Sequence, residues 1–499
     1  MIWKKLLILT KKRHRSKYVN NLEQSTISVS LDKNIQYLKE KFNFSSDLKI
    51  RQFTVNDEII RDSVIIYLDG ITNTQNIQDN ILTPLLRIIK FESIDAIISR
   101  HLSIVDVIKI TTFDEILAGL TKGKSLVLID GYPEGILADT SDWQMRSINE
   151  PDTQRSIKGS LVGFNEQIKV NVNLLRNMVQ SHKLSVENLQ VGNETKTDVA
   201  IIYMDGYVDQ TVLDETRKKI KEIDVTYLLE ARVIEDALEG KKTLFPLVFT
   251  CERPDVAVSA LYEGRVAVLV NGIPYTLIVP TLFLHYFHQP DEYNSKSGRY
   301  GNRFLRFFSW FFSIILLGMY ITIVRFHHEW VPDHFAKIFF EKSDTLLPAI
   351  LEIIFVMIIF QLLTEASLRI PKSTVIIVSL IGAIVIGQTA VTAKIIHSIT
   401  LIIVGINFLS SIAIAAGGLY GSVLTLRITF LFLGFFFGLK GIIIGLVILL
   451  IYMASLKSLG VPYLAPFIPF RPKEMKDAFI RGDLRKLINS KHTYPHKKN

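Results

Sequence analysis

The sequence predicts a two-part chain: an α/β N-terminal region of two related subdomains, then an all-α polytopic membrane domain and a short basic C-terminal tail. Three observations predict it. The run IIYLDG at Ile65 returns as IIYMDG at Ile201, 201 − 65 = 136 residues later. Charged residues fill the first three hundred positions and thin abruptly after Arg306. Long uncharged runs follow, at Phe307–Val324, Ser373–Ala393 and Ser398–Leu426, and about 20 apolar helical residues suffice to cross a bilayer.

The repeat extends beyond the six-residue run. FDEILAGLTKGKSLVLIDGYP (Phe113 to Pro133) aligns with PDVAVSALYEGRVAVLVNGIP (Pro254 to Pro274), pairing Asp114 with Asp255, Gly123 with Gly264 and Asp130-Gly131 with Asn271-Gly272. Each copy reads as a strand, an Asp-Gly turn, helices, a helix ending at Gly, a buried strand and a second turn. Gly accepts the left-handed cap of a helix, and Asp/Asn-Gly pairs supply positive φ. Runs such as SLVLI and VAVLV lack alternation, as strands covered on both faces do. Asp69, Asp130 and Asp205 are therefore expected to serve turns rather than catalysis.

The predicted divisions are a basic arm and lead-in at 1–44, a first α/β subdomain at 45–137 and a linker loop and helix at 138–194. A second subdomain follows at 195–300, with its repeat core ending near 283, then the membrane domain at 301–457 and the tail at 458–499.

Several functions are excluded. GLTKGKS at Gly119 imitates a phosphate-binding loop but has three residues rather than four between its glycines and ends a helix instead of opening one, so no nucleotide site is expected. The lone Cys251 rules out an intrachain disulfide and reads as a buried, inert thiol. HHEWVPDH, His327 to His334, reads as a wet interfacial loop rather than a metal site. No cofactor, metal or catalytic constellation is expected, so the chain is not read as an enzyme. The +9 formal charge sits largely in the N-terminal arm and tail, which suits a bilayer surface rather than nucleic acid. The apolar stretch Leu6 to Leu9 is too short for a secretion signal.

Candidate spans are Phe307–Val324, Leu346–Thr364, Ser373–Ala393, Ser398–Ala416, Ser422–Gly438 and Gly441–Leu456. Six crossings, or four with re-entrant segments at the glycine breaks, keep the α/β region and the basic tail on the cytoplasmic side. Ionisable and polar groups at membrane depth are costly and mark function by default, which singles out Glu352, Glu365, Gln388, Asn407 and Arg427. Snorkelling and interhelical hydrogen bonds are their structural alternatives.

Between the repeats stand Glu150-Pro151-Asp152-Thr153, Ile157-Lys158-Gly159 and Gly163-Phe164-Asn165-Glu166. Further on come Glu252-Arg253-Pro254-Asp255, Leu368-Arg369-Ile370-Pro371-Lys372, the run Gly382 to Gln388, and Gly460-Val461-Pro462-Tyr463-Leu464-Ala465-Pro466. In this order the motifs resemble the A subunits of GerA-type spore germinant receptors, from about Ser30 to Arg485. The chain departs from that pattern at Ser160-Leu161-Val162, Gln154 and Thr392, where relatives carry charges. The resemblance implies a nutrient receptor subunit in the spore inner membrane, with a transporter-like B subunit and a lipoprotein C subunit as partners. It implies a homo-oligomer whose helices enclose a nutrient-gated cation pathway, with Glu150, Pro151, Thr153, Lys158, Gly159, Gly163, Phe164 and Glu166 serving linkage or assembly. A non-conducting scaffold and a secondary transporter are the alternatives; the latter needs inverted membrane repeats, whereas the visible repeat lies in the soluble half.

Overall fold

The computed structural model describes residues 26–55, 61–88, 93–142, 150–151, 154, 159–240, 242–288, 302–332, 334, 336, 346–369, 385, 387–413, 417–472, 475 and 478. In the first subdomain the order is α1 (Leu31–Lys41), β1 (Leu48–Val55), β2 (Arg61–Leu68), a helical stretch α2 (74–86), α3 (Ile94–Arg100), β3 (Val107–Ile110), α4 (Phe113–Leu120), β4 (Ser125–Ile129) and β5 (Gly135–Ala138). Then come α5 (Ile168–Met178) and the second subdomain: β6 (Leu184–Val191), β7 (Thr197–Met204), α6 (Gln210–Lys221), α7 (Arg232–Glu239), β8 (Phe249–Cys251), α8 (Pro254–Tyr262), β9 (Val266–Val270) and β10 (Thr276–Val279).

The two sheets have the same wiring, β1-β2-β4-β5-β3 and β6-β7-β9-β10-β8, and every pairing is antiparallel. Alternate residues explain why their central strands are buried throughout. Val64, Ile66, Leu126 and Leu128 join α1 and α4 on one face, while Ile65, Val127 and Ile129 join α2 and α3 on the other. In the second copy Ala200, Ile202, Ala267 and Leu269 face α5 and α8, and Val199, Ile201, Val266 and Val268 face α6 and α7. Helices on both sides remove the polar face that a half-exposed antiparallel strand would show. The repeated Gly70, Gly131, Gly206 and Gly272 all have positive φ, as tight turns require. Asp130 adds a second role, its Oδ1 accepting from Leu31 N at 3.0 Å at the start of α1.

Two boundaries differ from expectation. α1 packs in the first core instead of leading into it. β6 lies inside the stretch assigned to the linker, yet it pairs with β7 along its full length, so the second sheet begins at Leu184. Its sequence LSVENLQV is half polar because its latter half alternates, and that hid it among the loop residues.

The C-terminal part holds α9 (Asn302–Phe326), α10 (Ala349–Arg369), α11 (Ser398–Ile412) and α12 (Tyr420–Ser455). α9, α10 and α12 are each long and apolar enough to cross a membrane; α11 is a shorter apolar helix. α12 turns back on itself. Ser422 Oγ donates to Leu244 O at 2.5 Å, while Leu244 N donates to Tyr452 Oη at 2.8 Å. Residues 30 positions apart would lie about 45 Å apart along a straight helix. The reversal is at Gly438 (φ 59°, ψ −145°), a conformation open essentially to Gly alone. The predicted spans Ser422–Gly438 and Gly441–Leu456 are thus an outward arm (420–437) and a return arm (439–455).

Contacts give each helix a direction. α9 leaves the second subdomain at Phe307 and reaches Gly438 with Phe326. Glu352, in the first turn of α10, meets His397 and Thr400 at the start of α11, and Thr400 meets Tyr320 near the far end of α9. Tyr420 Oη meets Gln361 at the near end. α10 and α11 therefore both run back toward the platform. The predicted span Ser373–Ala393 lies largely outside the described residues.

α9 and the outward arm touch backbone to backbone. A Cβ on Gly318 would sit 2.5 Å from Phe430 O, and Gly434 faces Gly318 in return. Small residues at such a crossing permit the close approach. Gly318→Val is therefore expected to destabilise the helical part by about 1–3 kcal/mol, read as a lower thermal midpoint of the detergent-solubilised protein; an unchanged midpoint would contradict the contact.

Candidate functional site

Three regions gather the chemistry-bearing residues: the linker, the seam between subdomains, and the polar groups among the helices.

The described linker residues Gln154 and Phe164 lie against the second subdomain. Gln154 reaches the edge strand β8 with both ends of its amide, Nε2 donating to Thr250 O at 3.1 Å and Oε1 accepting from Glu252 N at 3.3 Å. Arg253 Nη1 donates to the Gln154 carbonyl at 3.2 Å, and the same fully buried guanidinium pairs with Asp255. An ionised acid at 154 would accept but could not donate, so only an amide serves both ends of this contact. Phe164 N donates to Glu252 O at 2.8 Å and its ring enters the second core. Pro151 and Gly163 are buried, whereas Glu150, Gly159 and Glu166 are exposed. Glu166 acts through its backbone, its carbonyl accepting from Gly272 N at 2.7 Å. Thr153 and Lys158 lie outside the described residues. Burial pushes the adjacent Cys251 thiol up to about 12, leaving it inert at neutral pH.

The seam was not legible from the sequence. Ser45 and Ser46 extend the second sheet at its β6 edge: Ser46 N donates to Val186 O at 2.7 Å and Val186 N to Ser45 Oγ at 2.8 Å. Beneath them Arg176 of α5 makes a buried two-pronged pair with Asp47, Nε to Oδ2 at 2.8 Å and Nη2 to Oδ1 at 2.9 Å. Asn173 Nδ2 reaches Gly70 O at 2.6 Å, so one helix holds the other copy's turn as well. Beside it, Asn43 donates to Tyr203 Oη, which donates to Glu187; burial raises the Glu187 carboxyl, but Arg217 and Tyr203 outweigh it and hold it below its usual range.

Among the helices, Glu352 is buried. Its Oε2 accepts from His397 N at 3.1 Å and Thr400 Oγ1 at 2.8 Å, and Tyr320 Oη meets Thr400 at 2.9 Å. A carboxylate at the start of α11 complements the helix dipole. Asn407 and Arg427 converge on one carbonyl: Asn407 Nδ2 and Arg427 Nε reach Ser313 O at 2.9 and 3.1 Å. Among the described residues no carboxylate pairs with Arg427, and Asn407 Oδ1 is buried without a donor. Gln388 and Glu365 are exposed and join neither cluster. The structure thus gathers Glu352, Asn407 and Arg427 into interhelical hydrogen bonds.

At the platform's exit a short helical turn, Phe283–Phe287, carries His285, with His288 just beyond it. His285 Nδ1 accepts from Leu282 N at 3.1 Å, which requires that nitrogen to be unprotonated. Burial, with Arg265 and the neighbouring histidine, holds His285 well below 6.5; burial, with Arg303 and Arg306, does the same to His288.

Two outcomes follow from this geometry. Asp47→Ala strands the buried Arg176 charge and is expected to cost about 3–5 kcal/mol, while Asp47→Leu with Arg176→Met recovers most of it; chemical denaturation measures both. Because the unfolded histidines take protons near 6.5 that the folded ones refuse, stability is full above that pH and falls as pH drops below it. Thermal midpoints between pH 7 and 5 are expected to fall less in His285→Asn/His288→Asn than in the parent, and parallel curves would refute the assignment.

Comparison with known proteins agrees with the motifs. The family described as Bacillus/Clostridium GerA spore germination protein matches residues 36–493. Spore germination protein KA of Bacillus subtilis is 32% identical over 461 residues, covering 91% of this chain and 85% of its own. An uncharacterized membrane protein of the same organism, YfkQ, is 31% identical over 96% of this chain and 94% of its own. The crystal structure of the N-terminal domain of the A subunit of the Bacillus megaterium spore germinant receptor GerK3 is 30% identical, covering 52% of this chain and 98% of that one, with a TM-score of 0.41. A match of this extent, with the motifs in order, makes the chain a member of the GerA family of spore germination proteins.

Proposed function

We propose that this chain is the A-type subunit of a spore nutrient receptor, anchored in the spore inner membrane, and that several copies enclose a cation pathway that nutrient binding opens. The observation that carries the reading is the second subdomain's core, which runs without interruption from Ile202 and Leu269 through Phe283 and Trp310 to Phe430 and Leu449 among the helices. A soluble platform packed this way moves with its helices, so a change in how platforms associate reaches the helix crossings. A nutrient shifts the closed–open balance only through different affinity for the two states.

Orientation has its own support. α9 starts and α12 ends against the second subdomain, so both ends of the helical part share one side. Arg303 and Arg306 flank α9 there, and the basic tail follows α12, which favours the cytoplasm. The proposed partners are further copies of this chain, a transporter-like B subunit and a lipoprotein C subunit. The linker residues Glu150, Pro151, Thr153, Lys158, Gly159, Gly163, Phe164 and Glu166 set the platform surface used in assembly.

A non-conducting scaffold is the competing reading, favoured by the helix-cap role of Glu352. Cation flux through proteoliposomes holding only this subunit separates the two: flux supports the pathway, and a sealed, oligomeric preparation favours the scaffold. Glu352→Gln keeps the acceptor for His397 N and Thr400 while removing the charge. It is expected to change nutrient-triggered cation release several-fold without disturbing assembly; unchanged release returns Glu352 to helix capping alone.

A further inference from the structure

Where the platform meets the helices there is an open groove of about 440 Å³, bounded by Phe283, the first turns of α9, the return arm of α12, and the segment 464–468. Phe307, Trp310, Ile314, Leu446, Leu449 and Phe467 are among its lining, and that lining is apolar throughout. Water gains nothing there, since it needs two or more polar partners. A polar nutrient is disfavoured too, because its hydrogen-bonding groups would go unpaired. A partner helix, about 10 Å wide with its side chains, is too bulky for several turns to fit. A single hydrocarbon chain has the right shape and chemistry.

The groove's platform end is chemically different. Arg303 and Arg306 precede Phe307 on α9, and Arg471 follows Phe467 and Ile468 closely in sequence. Arg306 Nη1 is fixed on Phe287 O at 2.8 Å, which holds its guanidinium at this end. The Trp310 indole forms part of the wall, and its N–H is buried without an acceptor among the described residues. Tryptophan with one end apolar and the other polar suits the level of lipid headgroups and ester carbonyls.

We propose that the groove between α9, the return arm of α12 and residues 464–468 binds one anionic phospholipid, its acyl chain along Phe307, Ile314 and Leu449 and its phosphate beside Arg306. The lipid then forms part of the joint between platform and helices, touching both. This rests on the reading of α9 and α12 as membrane-crossing.

The test uses the full chain in nanodiscs with Trp310 as the only tryptophan (Trp3→Phe, Trp143→Phe, Trp330→Phe) and phospholipids brominated on the acyl chain. Brominated phosphatidylglycerol is expected to quench Trp310 saturably, with a half-point about fivefold below that of brominated phosphatidylcholine. Arg306→Gln should erase the headgroup preference, and Leu449→Phe should weaken quenching by both lipids. Quenching that rises linearly with lipid fraction and ignores the headgroup would mean annular lipid only and overturn the site; so would saturable quenching unaltered by both substitutions. The control Ile444→Trp/Trp310→Phe, at an outward-facing position, separates the failures. If it is quenched by either lipid while Trp310 is not, the site is wrong and the membrane reading stands; if neither tryptophan is quenched, the membrane reading itself fails.

Discussion

The rest of the structure depends on one apolar junction, where Phe245, Phe283, Phe287, Trp310 and Tyr463 close over the top of the helices. Phe283 touches four of these rings or their neighbours edge-on, with centroids 4.9 Å from both Phe287 and Trp310 and 6.2 Å from Phe245. Aromatic pairs at such separations add about 0.5–1.5 kcal/mol each beyond the area they bury. A short antiparallel pairing of Lys457–Ser458 with Val461–Pro462 then brings the chain back, and Ser458 Oγ donates to Leu247 O at 2.7 Å. Because entrance and exit of the helical part are fastened to the same subdomain, the second α/β copy acts as the foundation and the first copy is attached to it through α5.

That division explains why two copies of one fold have different surroundings. The second sheet has both edges occupied, by Ser45 and Ser46 at β6 and by Gln154 at β8, which removes the open edges that otherwise invite strand addition. Its faces are committed as well, one to α6 and α7 and the other to α5, α8 and the membrane helices. The first copy has its own two cores and meets the second through a few polar residues, chiefly Asp47 and Arg176. The same unit occurs twice, and packing ties one copy to the apolar helices while the other keeps to its own two cores.

Much of this was legible in the sequence, for physical reasons. Positive-φ glycines recur because the turns recur, so Gly70 and Gly206, Gly131 and Gly272 mark equivalent corners. The helical half announced itself by its lack of charge, and the glycines around 438 announced the break. What stayed hidden depends on partners distant in the chain. Asp47 and Arg176 are 129 residues apart and each is ordinary in its local setting. The short β3 and the half-polar β6 carry too little pattern to stand out from loops. Glu352, Asn407 and Arg427 were found by the rule that polarity at depth is costly, but that rule says nothing of their acceptors, and Ser313 O collects two of them. Gln388 and Glu365 obeyed the same rule and face outward.

The reversal at Gly438 has a mechanical corollary. Both arms of the folded-back helix are tied, through Ser422 and Tyr452, to the carbonyl and the amide of a single residue, Leu244. Sliding one arm past the other would tear at least one of those ties and grind Gly441 and Gly445 against Leu433. The cheap motion left to the pair is to lean as one stiff blade hinged at its base, so a small twist of the foundation becomes a larger sideways sweep at the tip.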